Sequence, residues 1–147
     1  MGTLTLPPTG FIYLDTSAII YSVERNQPYL ELLAPAWQQA EAGRLVLVCS
    51  ELAIAETLVR PIREGNLDLV AAFRSVFAAP EVHVVPASRQ LWEATARLRA
   101  HTGLKTPDAL HAVTAMGAEC ALFVTNDADF RRVQGLPVVV LDDLLGN

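Results

Sequence analysis

Five short segments of the chain are apolar throughout and do not alternate with polar residues. They are rich in Val, Ile, Leu and Phe, and they cover residues 11–14, 45–48, 82–85, 121–124 and 138–141. Short uninterrupted apolar runs are typical of strands buried on both faces, as in a parallel sheet that is covered by helices. The pattern therefore predicts five buried strands.

The segments between these runs have helical periodicity instead. Leu30, Leu33 and Trp37 share one helical face, and residues 67–78 and 91–98 show similar spacing. Strands that alternate with helices form right-handed crossovers around a central sheet. We therefore predict a three-layer α/β/α fold with a central, mostly parallel five-stranded sheet. Residues 1–10, which include two consecutive prolines, are predicted to be a loose N-terminal tail before a single domain over residues 11–147.

Two prolines give local predictions about helix boundaries. Pro61 is expected to end or kink the helix that starts near Ser50. Thr106, Pro107 and Asp108 form the pattern of an N-cap, a first helical residue and an acid in the first turn. A helix is therefore predicted to start after Thr106.

Composition narrows the class of protein. The 147 residues are 52% hydrophobic and 18% charged, which provides enough apolar material for one core and excludes a disordered chain. The mean hydropathy is high at +0.31, yet no run of 18 or more apolar residues could span a bilayer. We therefore expect a cytoplasmic protein without a membrane association. The net charge of −5 argues against a protein that coats nucleic acid, so nucleic-acid contacts would need a local basic patch.

Four of the 16 acidic residues lie beside the most apolar segments rather than on polar helix faces. Asp15 and Asp127 follow predicted strands, where sites form in open α/β sheets. Glu56 lies inside an apolar helix, and Asp108 opens another. Each also has a structural interpretation. Asp15 could cap a helix, and Asp108 could be a first-turn acid that the helix dipole stabilises. Asp127 could form a turn, and Glu56 could point to solvent or pair with Arg60.

Convergence of these acids would require a cation. Two carboxylates about 5 Å apart repel each other by about 3 kcal/mol at an effective dielectric constant of about 20. The site must therefore take up protons or bind a metal ion. Carboxylate oxygens without a His or Cys cluster favour a hard cation, Mg²⁺ or as a substitute Mn²⁺. Such ions activate water and neutralise phosphate, so phosphodiester hydrolysis is the predicted reaction.

Four motifs that contain these acids resemble those of the PIN-domain nucleases, and among them the VapC-type toxins of bacterial toxin–antitoxin pairs. The resemblance covers most of the chain, from Phe11 to Leu141. The motifs are residues 13–18 (YLDTSA), 50–56 (SELAIAE), 106–115 (TPDALHAVTA) and 123–130 (FVTNDADF). Each motif is weak alone, but the four in this order and spacing are specific.

The resemblance implies a divalent-metal-dependent endoribonuclease that a cognate antitoxin protein neutralises. Its four catalytic acids correspond to Asp15, Glu56, Asp108 and Asp127. As a hypothesis, Asp15, Asp108 and Asp127 bind Mg²⁺, directly or through water, and Glu56 orients or deprotonates the attacking water. The resemblance also implies a homodimer and a structured RNA such as transfer RNA as substrate.

Supporting roles are predicted for neighbouring polar residues. Ser17 and Thr125 correspond to hydroxyl-bearing positions of the family and would hold the carboxylates by hydrogen bonds. Asn126 would do likewise or contact substrate, and Asp129 is a second acid in the fourth motif that ranks below Asp127 as a metal ligand.

Arginine and histidine residues near the acids are assigned lesser roles than the acids themselves. Arg60 and Arg63 follow Glu56 by four and seven residues and are predicted to flank a groove for RNA. Any one of them could instead be a solvated surface charge. His111, three residues after Asp108, is interpreted as a locally paired side chain without a ligand set around it.

Two other classes of enzyme or signalling domain share a parallel α/β sheet with acids at strand ends. A receiver domain would need a phosphoacceptor Asp after the third strand and a late Lys after another strand, but the third strand is followed by Pro86 and the single lysine is Lys105. A haloacid-dehalogenase phosphatase would need an Asp where Ser17 lies. A non-catalytic, receiver-like module that binds a metal or a partner stays open as the alternative.

Overall fold

The computed structural model describes residues 2–146, and its centre is one sheet of five strands. The strands are β1 (Gly10–Leu14), β2 (Leu45–Ser50), β3 (Val82–Val85), β4 (Leu122–Thr125) and β5 (Val138–Val140). Their order across the sheet is β3-β2-β1-β4-β5, and every neighbouring pair is parallel. The predicted five-stranded parallel sheet is confirmed.

Seven α-helices connect or follow the strands within the described residues. They are α1 (Thr16–Val23), α2 (Tyr29–Glu41), α3 (Leu52–Arg63), α4 (Leu67–Ala78), α5 (Arg89–Thr102), α6 (Thr106–Gly117) and α7 (Leu141–Leu144). A 3₁₀ turn spans Ala128–Arg132. The predicted run 138–141 is therefore one residue too long, because Leu141 begins α7 rather than ending β5.

The two predictions from proline residues need correction. Helix α3 continues past Pro61 to Arg63, because backbone hydrogen bonds to Arg60 and Pro61 carbonyls close its last turn. Thr106 is the first residue of α6 and not its cap. Lys105 is the cap residue, since its backbone is extended and its carbonyl accepts from the Ala109 amide.

Two apolar layers enclose the sheet, one on each face. Strand β1 divides its side chains between them: Ile12 and Leu14 pack into the layer with α1, α2 and α4, whereas Tyr13 packs into the layer with α5 and α6. Alternation along a strand sends successive side chains to opposite faces. The predicted α/β/α layering is thereby confirmed, and no buried side-chain nitrogen or oxygen within residues 2–146 lacks a hydrogen-bond partner.

The N-terminal segment is less free than the predicted loose tail. Residues 2–9 form neither helix nor strand, but Leu4 is buried in the first layer and the Gly2 amide donates to the Leu144 carbonyl of α7. Met1 and Asn147 lie outside the described residues. Within the described part of the chain, no helix is both long enough and apolar enough to cross a bilayer.

The sheet brings the ends of its two central strands together. Leu14 of β1 is in register with Val124 of β4, so the residues that follow each strand emerge side by side. Asp15 follows β1 directly, and Asp127 comes two residues after β4. The topology therefore places these two carboxylates at one edge of the sheet.

Candidate active site

A pocket of about 220 Å³ opens at this edge of the sheet. Its wall includes all four carboxylates that the sequence singled out, namely Asp15, Glu56, Asp108 and Asp127. They come from the end of β1, the middle of α3, the first turn of α6 and the segment after β4. The pocket therefore collects acids that are up to 112 positions apart, from Asp15 to Asp127, in the sequence.

Asp15 is the most enclosed of the four acids, with 6% of its surface exposed. Its Oδ1 accepts hydrogen bonds from Ser17 Oγ at 2.6 Å and from the Ala18 amide at 3.1 Å, and Thr125 Oγ1 donates to its Oδ2. Burial raises the pKa of Asp15, and these three donors oppose the rise by stabilising the anion. Asp15 is thus both the N-cap of α1 and a wall of the pocket.

Glu56 is held by two side chains on other elements. Thr16 Oγ1 donates to Glu56 Oε1 at 2.7 Å, and His111 Nε2 lies 2.7 Å from the same oxygen. Burial alone would raise the pKa of Glu56, but the hydrogen bonds from His111 and Thr16 bring it below its ordinary value. The alternative pairing with Arg60 is absent, because Arg60 pairs with Glu64 and Glu24 instead.

Asp108 and Asp127 form the more open side of the pocket. Burial and the nearby Asp127 carboxylate raise the pKa of Asp108, and Glu56 and Asp15 add to the rise. Asp127 is exposed, and its Oδ1 accepts from the Asp129 amide at 2.9 Å. The two acids therefore add negative charge that few hydrogen bonds compensate.

The predicted supporting residues are only partly brought together. Ser17 and Asn126 line the pocket, and Thr125 is fully buried behind Asp15. Asn126 connects the pocket to the C-terminal helix, because its Nδ2 donates to the Tyr21 hydroxyl and its Oδ1 accepts from the Asp142 amide. Asp129 does not line the pocket; it is exposed and lies 3.5 Å from Arg132.

The predicted RNA-binding arginines also lie outside the pocket wall. Arg60 and Arg63 are exposed in the last turn of α3, the helix that carries Glu56. Within residues 2–146, Arg63 forms no salt bridge, whereas Arg60 forms two. The arginines therefore lie on the same helix as Glu56 but outside the wall of the pocket.

Three residues that organise the pocket were assigned no role in it from the sequence, and His111 pairs with side chains distant in the sequence instead of the expected local partner. Tyr13 and His111 are buried and hydrogen-bonded to each other at 2.6 Å, and Thr16 contacts both Glu56 and His111. A signal was present, since a Tyr in a buried strand and a His on an apolar helix each need a polar partner. Neither residue shows from sequence alone that the other is its partner.

The donor set of the pocket suits a hard cation. None of the ten residues that line it is Lys or Arg, so its carboxylates repel each other without a fixed counter-charge. Within residues 2–146, no three His, Cys, Asp or Glu side chains are grouped closely enough to hold a metal as they stand. Mg²⁺ does not need such a group, because it keeps several water ligands and binds proteins through one or two carboxylates. Asp15 Oδ2 accepts a single hydrogen bond, so it keeps capacity for a cation or its water.

The chain matches a known family by sequence and known proteins by fold. The family model described as the PIN domain matches residues 12–136. No curated protein matches the sequence significantly. A crystal structure of VapBC2 from Rickettsia felis, bound to a DNA fragment from its promoter, is similar with a TM-score of 0.69 at 17% identity, over 88% of this chain and 98% of that chain.

Two further solved structures are similar to the chain. A toxin–antitoxin complex from Klebsiella pneumoniae has a TM-score of 0.64 at 22% identity, over 88% of this chain and 96% of that chain. FitAcB from Neisseria gonorrhoeae has a TM-score of 0.58 at 20% identity, over 86% and 95%. Identities this low show a shared fold.

Proposed function

The chain belongs to the PIN-domain family, whose members are generally nucleases, and from this premise we propose that it is a Mg²⁺- or Mn²⁺-dependent endoribonuclease. The observation that carries the proposal is the pocket in which Asp15, Glu56, Asp108 and Asp127 meet without a Lys or Arg in its wall. Such a pocket suits a divalent cation and, through it, the phosphate of a nucleic acid.

The carboxylates divide into ligands and a group that acts on water. Asp15, Asp108 and Asp127 would hold the cation directly or through its water molecules. When bound, the ion supplies charge to neutralise the phosphate and to activate water. Glu56, an anion held by Thr16 and His111, is placed to orient the attacking water and to accept its proton.

The other polar residues would keep this arrangement in place. Ser17 and Thr125 hold the Asp15 carboxylate, and loss of such a partner typically weakens metal binding or activity about 10- to 100-fold. Asn126 would fix the segment after β4 through Tyr21 and Asp142. Asp129 would act at most through water, because it lies outside the pocket wall.

RNA would approach along the C-terminal turn of α3. Arg60 and Arg63 lie in that turn, exposed, and would contact phosphates on one side of the pocket. The choice of RNA over DNA rests on the resemblance to VapC-type toxins, which also implies a structured RNA such as transfer RNA.

The structural neighbours support a toxin role for this chain. The Klebsiella pneumoniae structure is a toxin–antitoxin complex, and this chain shares its fold and that of VapBC2. We propose that this chain is the toxin of such a pair, acts in the cytoplasm as a homodimer, and is neutralised by a cognate antitoxin protein.

The decisive experiment is RNA-end sequencing after brief expression of the wild type and of Asp15→Asn. New 5′ ends at defined sites that appear only with the wild type would support the proposal. Purified protein incubated with the same RNA, with Mg²⁺ or with EDTA, tests metal dependence directly. If the protein cleaves no RNA in cells or in purified form, and the purified protein still binds Mg²⁺, the non-catalytic metal-binding module is favoured.

A further inference from the structure

Four side chains form a continuous chain of hydrogen bonds behind the pocket. The Tyr13 hydroxyl lies 2.6 Å from His111 Nδ1, and His111 Nε2 lies 2.7 Å from Glu56 Oε1. Thr16 Oγ1 donates to the same Glu56 oxygen at 2.7 Å and lies 3.3 Å from His111 Nε2. These hydrogen bonds therefore connect the centre of the sheet, through α6, to the acid on α3.

The hydrogen-bond partners of the two His111 nitrogens indicate which nitrogen carries the proton. The His111 and Thr16 hydrogen bonds lower the pKa of Glu56 against the effect of burial, so Glu56 is an anion and can only accept. The proton between them therefore belongs to His111 Nε2. Nδ1 of an imidazole that is protonated only at Nε2 is an acceptor, and the phenol hydroxyl lies 2.6 Å from it with one proton to donate. The imidazole is thereby held as the tautomer with hydrogen on Nε2.

Tyr13 is the rigidly held end of this series of hydrogen bonds. It is 0% exposed in the central strand β1, and its ring is stacked on Phe123 of β4 with centroids 4.9 Å apart and planes 5° apart. The His111 ring meets it edge-on at 5.9 Å and is itself only 3% exposed. A displacement of either ring would break the hydrogen bond between these two buried side chains.

From this arrangement we propose that Tyr13 and His111 are positioning residues, which hold the Glu56 carboxylate in one orientation by fixing the Nε2–H tautomer of the imidazole. Tyr13 does not line the pocket, so its effect on the reaction must pass through His111. The role in cleavage rests on the proposed nuclease function. The fixed tautomer does not, and it can be measured separately.

The main variant is Tyr13→Phe, which removes one hydroxyl and keeps the stacked ring. We expect kcat for RNA cleavage to fall about 10- to 100-fold with little change in KM, as for other residues that hold a reactive side chain in place. Thr114→Val is the matched control. It also removes a buried hydroxyl from the α5–α6 side of the sheet, but that hydroxyl bonds only the Leu110 carbonyl of its own helix.

A second pair of variants replaces the imidazole itself. His111→Gln keeps an N–H that can reach Glu56, whereas His111→Leu keeps only bulk. We expect His111→Gln to retain more of the wild-type kcat than His111→Leu, which a purely structural role for the imidazole would not produce. Circular dichroism identifies any variant that fails to fold, and Tyr13→Phe then decides alone.

The independent readout is the nitrogen-15 spectrum of the histidine rings, with the His111 signals assigned from His111→Gln. The wild type should show one protonated nitrogen, Nε2, and one acceptor, Nδ1, and in Tyr13→Phe the Nδ1 signal should shift because that nitrogen no longer accepts a hydrogen bond from the phenol. A mixed or Nδ1-protonated wild-type ring would overturn the proposal, whether or not the protein cleaves RNA. So would a Tyr13→Phe variant with kcat equal to that of Thr114→Val. If the wild type cleaves nothing, the proposed nuclease function fails and the spectrum alone decides whether Tyr13 and His111 position Glu56.

Discussion

The two sides of the carboxylate pocket are built differently. On the enclosed side, Asp15 accepts three hydrogen bonds and Glu56 accepts two, all from side chains or amides that are themselves held by the fold. On the open side, Asp108 accepts none from the described residues, and Asp127 accepts one from a neighbouring amide. One side is therefore ordered before anything binds, and the other keeps its acceptor capacity free.

This difference separates two tasks that a hydrolytic site must perform. An ordered acid needs no reorganisation when it orients water or a cation, which is the advantage of a preorganised site. An unsatisfied acid gains most from a bound cation, because nothing else offsets its charge. We therefore expect the enclosed side to determine the rate of cleavage and the open side to determine how strongly a cation stabilises the protein.

Asp15→Asn is expected to have the largest effect. The change removes a charge from the enclosed side, and the loss of cleavage should exceed the 10- to 100-fold typical of a residue that only supports a metal ligand. The fold should survive, because an amide oxygen can still accept from Ser17 and Ala18, and the Thr125 hydroxyl can turn to accept from the new amide. Cleavage of labelled RNA, with circular dichroism on the same sample, measures both. Cleavage at the wild-type rate would contradict the assignment of Asp15.

Thr125→Val tests whether support of Asp15 matters as much as Asp15 itself. The hydroxyl is fully buried, donates to Asp15 Oδ2 and accepts from the Asp127 amide at 3.0 Å, so its loss disturbs both sides of the pocket. We expect a 10- to 100-fold fall in activity or metal affinity, and about 1–3 kcal/mol of lost stability from the unpaired groups.

The control for Thr125→Val is Thr95→Val. Thr95 is also buried, but its hydroxyl bonds only the Leu91 carbonyl of α5, away from the pocket. It should cost some stability and leave Mg²⁺ affinity, measured by calorimetry, unchanged. An equal fall in metal affinity for both variants would show that Thr125 acts through general stability and not through Asp15.

The sequence predicted the enclosed and open sides unequally well. The fold and all four acids followed from apolar runs and from acids beside them, because burial and strand ends leave a local pattern. The hydrogen bonds that order the enclosed side did not, since Tyr13 and His111 are 98 positions apart and each alone suits ordinary packing. The interpretation of Glu56 as a partner of Arg60 was wrong for a related reason. A spacing of four permits a pair, but Glu24 and Glu64 supplied nearer acids for the arginine.

Asp108→Asn tests the open side of the pocket. Burial and the neighbouring Asp127 raise the pKa of Asp108 above its ordinary 3.8, so the folded state binds its proton more tightly than the unfolded state does. The stabilising effect of that proton is present at acid pH and is lost as pH rises through the raised pKa. At neutral pH the charged form therefore lowers stability, and Asp108→Asn should raise it by less than about 1 kcal/mol, since the group is partly exposed and screened.

Thermal unfolding at two pH values and with added Mn²⁺ measures the gain in stability expected for Asp108→Asn. Without metal, the variant should unfold about 1–3 °C higher than the wild type at pH 7, and the difference should disappear at acid pH. Mn²⁺ should raise the midpoint of the wild type more than that of the variant, because the cation offsets the same repulsion. A variant less stable than the wild type at pH 7 without metal would mean that the open side is already compensated.

The smallest expected effect concerns the two arginines of α3, which repeat the contrast between held and free side chains. Arg60 is paired with Glu64 at 3.1 Å and with Glu24 at 3.8 Å, whereas Arg63 forms no salt bridge within residues 2–146. A free guanidinium can bind phosphate without giving up another partner, so Arg63→Gln should weaken RNA binding more than Arg60→Gln does.

Loss of one phosphate contact should reduce the slope of log affinity against log salt by about 1. Fluorescence anisotropy with labelled RNA on an Asp15→Asn background, at several salt concentrations, measures both slopes without cleavage. Equal slopes for Arg63→Gln and its Asp15→Asn parent would place the phosphate contacts elsewhere on the protein.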